Sequence, residues 1–226
     1  MAAIYLIRHG QASFGQQDYD QLSDKGMLQS ALLGAAWPTY IKPDKIYLGT
    51  LKRHQQTYQE FISKIDFCIP SQQISALNEF DHQDIIKQSE QAKPLNAKQN
   101  IAIANNDENG RRFVQAIEQW TSTPQSNLYH ESWSDFKKRA VSSLTQMMSE
   151  RLPHEQHILA FTSGGIIAAI TQHVLQLDDS QCLQLLSRLR NTSITKVLFS
   201  GDRLGIDSIN NFQHLEQAGK DWSTFR

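Results

Sequence analysis

The chain has 226 residues, enough for one large α/β domain or two small ones around a substantial buried core. Its 22 lysines and arginines nearly balance its 23 aspartates and glutamates, so net charge gives no reason to expect nucleic acid or an anionic membrane as a partner. No apolar stretch approaches the roughly 20 residues of a membrane-spanning helix, and the opening residues MAAIYLIRHGQ lack the basic region of a signal peptide. Cys68 and Cys182 stand outside any C-x-x-C spacing, which favours free thiols in a reducing compartment and predicts a soluble, cytoplasmic protein.

Short apolar runs alternate with helical patterns along the chain. Residues 3–7 form an apolar run that ends at Arg8, which is typical of a strand buried on both faces of a parallel sheet. Ser23 is a predicted N-cap, and the helix after it has four apolar residues at helical spacing: Leu28, Ala31, Leu32 and Ala35. Further strands are predicted at residues 44–50, 67–70, 157–162, 193–200 and 205–210, and further helices at 51–65, 111–120, 132–152, 164–175 and 180–189. This alternation predicts one domain over residues 1–226, a three-layer α/β/α sandwich with a mostly parallel central sheet.

The segment from about residue 80 to residue 130 differs from the rest. Residues 87–112 are polar, weakly periodic and rich in Asn, Gln and Lys, before helical patterns resume. We interpret the segment as a cap-like insertion that lies over one face of the sheet. A disordered loop is the alternative that its composition leaves open.

Chemically distinctive residues follow the predicted strands, and ligands of open α/β sheets bind beyond the carboxyl ends of the strands. The stretches are Arg8-His9-Gly10 after the first strand, Lys52-Arg53 after the second, Glu79 after the third, and Thr162-Ser163-Gly164-Gly165 after the strand at 157–162. A phosphate dianion needs positive charge and several donors, which arginines and a glycine-rich helix start supply. A neutral histidine can attack phosphorus, and a protonated carboxyl can give its proton to the departing oxygen. The set therefore points to phosphoryl transfer.

Several stretches resemble the histidine phosphatase superfamily, the phosphoglycerate mutase-like proteins. They are IYLIRHGQA at 4–12, LSDKGMLQSALLGAA at 22–36, LKRHQQTY at 51–58, LNEF at 77–80, SDFKKRAVSSL at 134–144 and the strand–helix corner at 157–170. The second is similar to the family pattern L-T-x-x-G-x-x-Q-A, the third to L-x-R-A-x-Q-T-A and the fourth to L-x-E. The resemblance covers most of the chain apart from the insertion, and it implies a phosphoglycerate mutase-like fold.

The resemblance also implies an activity, that of a metal-independent phosphomonoester hydrolase without a cofactor. His9 would be the nucleophile that forms a transient phosphohistidine, and Glu79 would be the general acid. The phosphoryl oxygens would be held by four residues: Arg8, Arg53, Ser163 and Gly164. Gln11, just past the R-H-G motif, is placed at the edge of the same pocket. The partner would be a small phosphorylated substrate or phosphate itself.

The corner departs from the family at one position. Family members typically carry a second histidine there, in a stretch such as S-H-G-G, where this chain has Ser163. Ser163 could donate through its hydroxyl, or a histidine from elsewhere, His54 or His82, could take over. Alternatively, the protein is a catalytically impaired binder of phosphorylated ligands. Because the nucleophile, both arginines and the acid are present, the first two alternatives are favoured.

The sequence leaves two other enzyme classes open. A serine hydrolase would use Ser163 with His214, but the corner lacks the first glycine of G-x-S-x-G. A phosphoglycerate mutase-type phosphotransferase would need additional positive charge over the site, for which the insertion offers only residues expected to be solvated: Lys87, Lys93, Lys98, Arg111 and Arg112. Three aromatic residues either shape specificity or pack the insertion onto the sheet: Phe80, Trp120 and Trp133. Asn191 is placed outside the site.

Overall fold

A six-stranded sheet lies at the centre of the fold, in a computed structural model that describes residues 1–13, 20–66, 69–91 and 108–225. The strands are β1 (Ala2–Arg8), β2 (Lys45–Leu48), β3 (Ser71–Gln73), β4 (His157–Thr162), β5 (Ile194–Ser200) and β6 (Arg203–Asn211). The helices are α1 (Asp24–Ala35), α2 (Lys52–Ile62), α3 (His82–Gln91), α4 (Glu108–Ser122), α5 (Trp133–Ser149), α6 (Gly164–Leu175), α7 (Asp179–Leu186) and α8 (Gln213–Ala218).

The sheet is mostly parallel, as predicted. Its order is β3-β2-β4-β1-β5-β6, and β2, β3, β4 and β1 pair in parallel while β5 is antiparallel to both of its neighbours. The β1–β4 register pairs Arg8 with Thr162, so these two central strands end at the same level. The carboxyl ends of β1, β2 and β4 therefore meet at one edge, where the sequence predicted a ligand site.

Alternate residues of β1 enter two separate hydrophobic clusters, one on each face of the sheet. Tyr5 and Ile7 pack in the cluster that contains Leu33 of α1 and Phe61 of α2. Ala2, Ile4 and Leu6 pack in the cluster that includes residues of α4, α5, α6 and α7. The three layers follow from this alternation, because successive side chains of a strand point to opposite faces. The predicted α/β/α sandwich is confirmed.

Two details of the predicted elements are wrong. The strand predicted at 67–70 lies instead at Ser71–Gln73, after Pro70; residues 67 and 68, including Cys68, lie outside the described residues. β3 is an exposed edge strand held by backbone pairing with β2, so no apolar pattern marks it. In α1 the predicted cap Ser23 accepts from the Gly26 N–H, but Leu28 is 54% exposed.

The buried side of α1 differs from the predicted apolar stripe. It consists of small and polar residues, namely Gly26, Gln29, Ser30, Leu33 and Gly34. A Cβ on Gly26 would come within 2.1 Å of the Gln11 carbonyl oxygen. The helix therefore packs directly on the backbone that follows His9, which leaves no space for large side chains there.

The middle segment is helical on both sides of its undescribed part. α3 was not predicted, because Ile85 is the one residue of this helix that is buried in the core. α4 packs beside α3, and its Trp120 is 1% exposed in the cluster beneath α5 and α6. The disordered-loop alternative, which concerned residues 87–112, is thus wrong for residues 87–91 and 108–112, while residues 92–107, including Lys93 and Lys98, lie outside the described residues. None of the helices in the described ranges has both the length and the apolar character that a membrane crossing requires.

We predict that Gly26→Ala destabilises the protein, although Ala normally stabilises a helix interior by about 1 kcal/mol relative to Gly. The added Cβ would meet the Gln11 backbone, which cannot move without displacing the residues next to His9. Chemical denaturation of this variant should show a loss of roughly 1–3 kcal/mol, as for other overpacked sites. Gly205→Ala is the control, because no atom lies within 4 Å of a Cβ at that position. Equal stability of the two variants would contradict the prediction.

Candidate active site

His9 lies directly after β1, with 6% of its surface exposed. Its Nδ1 is 2.7 Å from the Gly10 carbonyl oxygen. A carbonyl only accepts, so Nδ1 carries the proton and Nε2 keeps its lone pair when the ring is neutral. Burial lowers the pKa of His9 well below its ordinary 6.5, and the guanidinium groups of Arg53 and Arg8 lower it further. The geometry presents a neutral imidazole with Nε2 as its nucleophilic atom.

The two arginines of the predicted site flank His9 from different elements. Arg53, in the first turn of α2, is only 7% exposed, and its Nη1 donates to Asp20 Oδ1 over 2.7 Å. Arg8 ends β1 and donates to the main-chain carbonyls of Leu189 and Phe225. Arg53 is therefore not a solvated surface charge. Both arginines bring positive charge to the end of β1, and both act on the pKa of His9.

Glu79 reaches the same edge from the loop after β3 and is half-buried. Its Oε2 accepts from the Gly165 N–H over 3.0 Å, at the first turn of α6. A Cβ on Gly165 would lie 2.2 Å from Glu79 Oε1, so the second glycine of the corner is what lets this carboxyl approach the helix. Burial raises the pKa of Glu79 above its ordinary 4.5, against the opposing effects of the Gly165 N–H and the arginines. The protonated form is thereby favoured relative to an exposed glutamate.

Ser163 occupies the N-cap position of α6 but makes no side-chain capping bond, and it has no exposed surface. Its Oγ instead lies 2.7 Å from Nε2 of His54, the residue after Arg53. Gly164 follows Ser163, and a Cβ there would lie 3.4 Å from Arg8 Nε. The corner thus brings Ser163 against a histidine and Gly164 against an arginine.

Two buried amide side chains hold the backbone around His9. Asn191 donates from Nδ2 to the His9 carbonyl and accepts at Oδ1 from the Thr224 hydroxyl. Gln29 accepts at Oε1 from the Gln11 N–H and donates from Nε2 to Thr224 Oγ1 and to the Trp222 carbonyl. Each amide therefore links the loop that carries His9 to the segment 222–225. Asn191, placed outside the site by sequence, borders it through the His9 backbone.

Other residues singled out by sequence have different surroundings. His214 bonds with Thr192 Oγ1 at 2.9 Å, so the histidine next to Ser163 is His54 rather than His214. His82 opens α3, and burial followed by the charge of Arg53 lowers its pKa. The Gln11 side chain accepts from the Ser23 hydroxyl at the start of α1. Phe80, Trp120 and Trp133 are 6%, 1% and 2% exposed, which supports the packing alternative.

Sequence reasoning missed two contributors to this edge. Asp20 binds Arg53, and the Thr57 hydroxyl accepts from the Gly10 N–H over 3.0 Å. Gly49, which directly follows β2 and was among the residues expected at the strand ends, lies against His54. Thr57 carried a signal, because it is the threonine of the R-x-x-Q-T stretch. In the described ranges, no three His, Cys, Asp or Glu side chains converge as a metal-binding group.

Comparison with known proteins gives a family and a fold. The family model of the histidine phosphatase superfamily (branch 1) matches residues 4–212. No curated protein matches the chain with significant sequence similarity.

Several solved structures share the fold at low identity. A phosphoserine phosphatase variant from Entamoeba histolytica, in complex with phosphoserine, superposes with a TM-score of 0.66 at 18% identity, over 95% of this chain and 100% of that one. A phosphoglycerate mutase from Bacillus anthracis gives 0.68 at 16% identity, over 94% of each chain. A mycobacterial glucosyl-3-phosphoglycerate phosphatase with inorganic phosphate gives 0.64 at 16% identity, over 93% and 98%.

We predict that Thr224→Val lowers the free energy of unfolding by about 2 kcal/mol, because the two buried amides that meet at this hydroxyl each lose a partner. Urea unfolding measures the change. Ser223→Ala is the matched control, since the Ser223 hydroxyl makes no hydrogen bond within the described part of the chain. That control should stay within roughly 0.5 kcal/mol of the wild type. A Thr224→Val protein as stable as Ser223→Ala would show that the amides do not depend on segment 222–225.

Proposed function

The chain belongs to the histidine phosphatase superfamily, branch 1, and we propose from this membership that it is a metal-independent phosphomonoester hydrolase acting through a phosphohistidine on His9. The observation that carries the proposal is the state of His9. Its ring is kept neutral by burial and by two arginines, and the Gly10 carbonyl fixes the proton on Nδ1. Nε2 is then the atom that attacks.

The phosphoryl group is bound between the two arginines and the β4–α6 junction. Arg53 and Arg8 neutralise the dianion, and the Ser163 hydroxyl and the Gly164 backbone complete the cradle at the positive end of α6. Supporting this assignment, Gly164 lies against Arg8 and both arginines act on His9. A small phosphomonoester is the substrate class, in keeping with the phosphorylated ligands of the structural relatives.

In the first step, the Nε2 lone pair of His9 forms a bond to phosphorus while the bond from phosphorus to the ester oxygen breaks. Glu79, protonated, transfers its proton to that oxygen and the alcohol leaves. In the second step, a water molecule attacks the phosphohistidine and gives a proton to the Glu79 carboxylate. The phosphorus–nitrogen bond breaks and phosphate is released, which restores neutral His9 and protonated Glu79.

Hydrolysis is preferred to mutase-type transfer because the positive residues of the described cap face solvent. Lys87 on α3 and Arg111 on α4 are exposed, and Arg112 pairs with Glu90 on the surface. If serine at position 163 abolishes turnover, the protein is instead an impaired binder of phosphorylated ligands. The variants below distinguish the phosphatase from the binder.

We predict that the wild type hydrolyses p-nitrophenyl phosphate in the presence of a chelator and that His9→Ala lowers kcat by at least about 10³-fold, because the nucleophile is lost. A radioactive phosphomonoester should label the wild-type protein with an acid-labile phosphoryl group, and this labelling should also disappear in His9→Ala. His173→Ala, at an exposed position near the end of α6, is the control. Turnover that survives His9→Ala but not Ser163→Ala would identify a serine nucleophile instead. A wild type that binds orthophosphate without turnover would be a binder.

We also predict a bell-shaped pH profile of kcat/KM. With increasing pH, activity rises as His9 loses its proton, at a pKa lowered well below 6.5, and falls as Glu79 loses its proton, at a pKa raised above 4.5. Glu79→Gln should remove the alkaline limb and slow hydrolysis of phosphoserine by roughly 10²–10⁴-fold. p-Nitrophenyl phosphate should be affected far less, because nitrophenolate leaves without a proton. Equal losses on both substrates would argue against Glu79 as the acid.

A further inference from the structure

Two positions at which this chain departs from the quoted family patterns lie in contact. The pattern L-x-R-A-x-Q-T-A has alanine where the chain has His54, and the pattern S-H-G-G has histidine where the chain has Ser163. These positions are 109 residues apart in sequence, yet His54 Nε2 and Ser163 Oγ are 2.7 Å apart. The two positions at which the chain differs from these patterns are therefore in direct contact.

The structure leaves a fitted space for the His54 ring. A Cβ on Gly49 would lie 2.0 Å from His54 Nδ1 and 2.6 Å from Cε1, so only glycine at the end of β2 allows the ring to lie there. Neither His54 nor Ser163 has exposed surface. Burial, followed by the charge of Arg53, lowers the pKa of His54 well below 6.5, so the ring is neutral. A neutral ring has one donor and one acceptor nitrogen.

The His54 ring also lies beside the nucleophile. The centroids of the His9 and His54 rings are 5.8 Å apart, with the planes tilted by 41°. The β1–β4 register pairs Arg8 with Thr162, which sets the next residues, His9 and Ser163, side by side. His54 contacts this pair from α2. A second imidazole thus stands next to His9 although the corner itself carries serine.

We infer that His54 and Ser163 together replace the corner histidine: the Ser163 hydroxyl donates to a phosphoryl oxygen, and His54 Nε2–H holds and polarises that hydroxyl. With the His54 proton on Nε2, the serine oxygen accepts from His54 and still has its own hydrogen to donate. Hydrogen bonds in such a chain strengthen one another. His54 is thus a positioning residue that acts through Ser163. This inference rests on the proposed function, because it assigns a role in the same phosphoryl site.

A four-variant comparison tests the inference, with p-nitrophenyl phosphate turnover and orthovanadate inhibition as readouts. Ser163→Ala should lower kcat by roughly 10²–10³-fold, the usual cost of one donor to a developing charge. His54→Phe keeps a ring but no donor and should cost about 10-fold or more. The double variant His54→Phe/Ser163→Ala should be no worse than Ser163→Ala, because the histidine acts only through the serine.

The exchange His54→Ala/Ser163→His is the decisive variant, since it returns each residue type to the position that the family patterns give it. We expect kcat to recover at least 10-fold over Ser163→Ala. His157→Phe is the matched control, because it removes a histidine–hydroxyl pair, with Tyr5 at 3.2 Å, from the opposite end of β4. Circular dichroism and thermal melts check the folding of each variant. Nitrogen chemical shifts of the His54 ring report independently whether Nε2 carries the proton.

Three results would overturn the inference. They are wild-type turnover and vanadate affinity in Ser163→Ala, losses that multiply in the double variant, and a His54 proton on Nδ1. If the exchange variant does not fold, the double-variant comparison and the chemical shifts still decide. Failure of the proposed function looks different: His9→Ala then retains turnover or the wild type has none. In that case vanadate affinity across the same variants still tests the His54–Ser163 pair.

Discussion

The site depends on the parallel pairing of β1 with β4. The ladder runs one step past β1, where the His9 N–H donates to the Thr162 carbonyl over 2.9 Å, so the residues after both strands are held at fixed positions. β2 joins from the other side of β4, where the Gly49 N–H donates to Phe161. His9, the N-terminus of α6 and the start of α2 therefore meet at one sheet edge, in the space between these three strand ends.

In several places the space between these strand ends has no room for a Cβ atom, which explains the glycines around it. A Cβ on Gly10 would lie 2.4 Å from the Gly26 carbonyl, and one on Gly165 would overlap Glu79. Gly49 makes room for His54 in the same way. Buried polar groups lie in the remaining volume, and two of them, the amides Gln29 and Asn191, bond to the backbone. The dense packing holds His9 in place and leaves little room for substitution around it.

The same surroundings shift the pKa values of His9 and Glu79 in opposite directions. Burial disfavours charge, so it lowers the pKa of His9 and raises that of Glu79. The arginines reinforce the effect on His9 and oppose it on Glu79, where burial is the larger cause. A neutral base and a neutral acid can then coexist beside a site that is positively charged. In the proposed mechanism, nucleophilic attack and protonation of the leaving group both start from this state.

The sequence by itself determined the fold class, the mostly parallel sheet and the edge at which the site lies, because strand burial and the residues after each strand are local patterns. It also supplied His9, Arg8, Arg53 and Glu79 as candidates, and the structure brings them to one sheet edge. It placed β3 wrongly and missed α3, since an exposed edge strand and a helix with little buried surface leave no apolar signal. Which residue stands in for the corner histidine, Ser163, His54 or His82, stayed open. Only the tertiary structure shows that His54 contacts Ser163, because a contact across 109 residues depends on how α2 and α6 pack on the sheet, which no local pattern records.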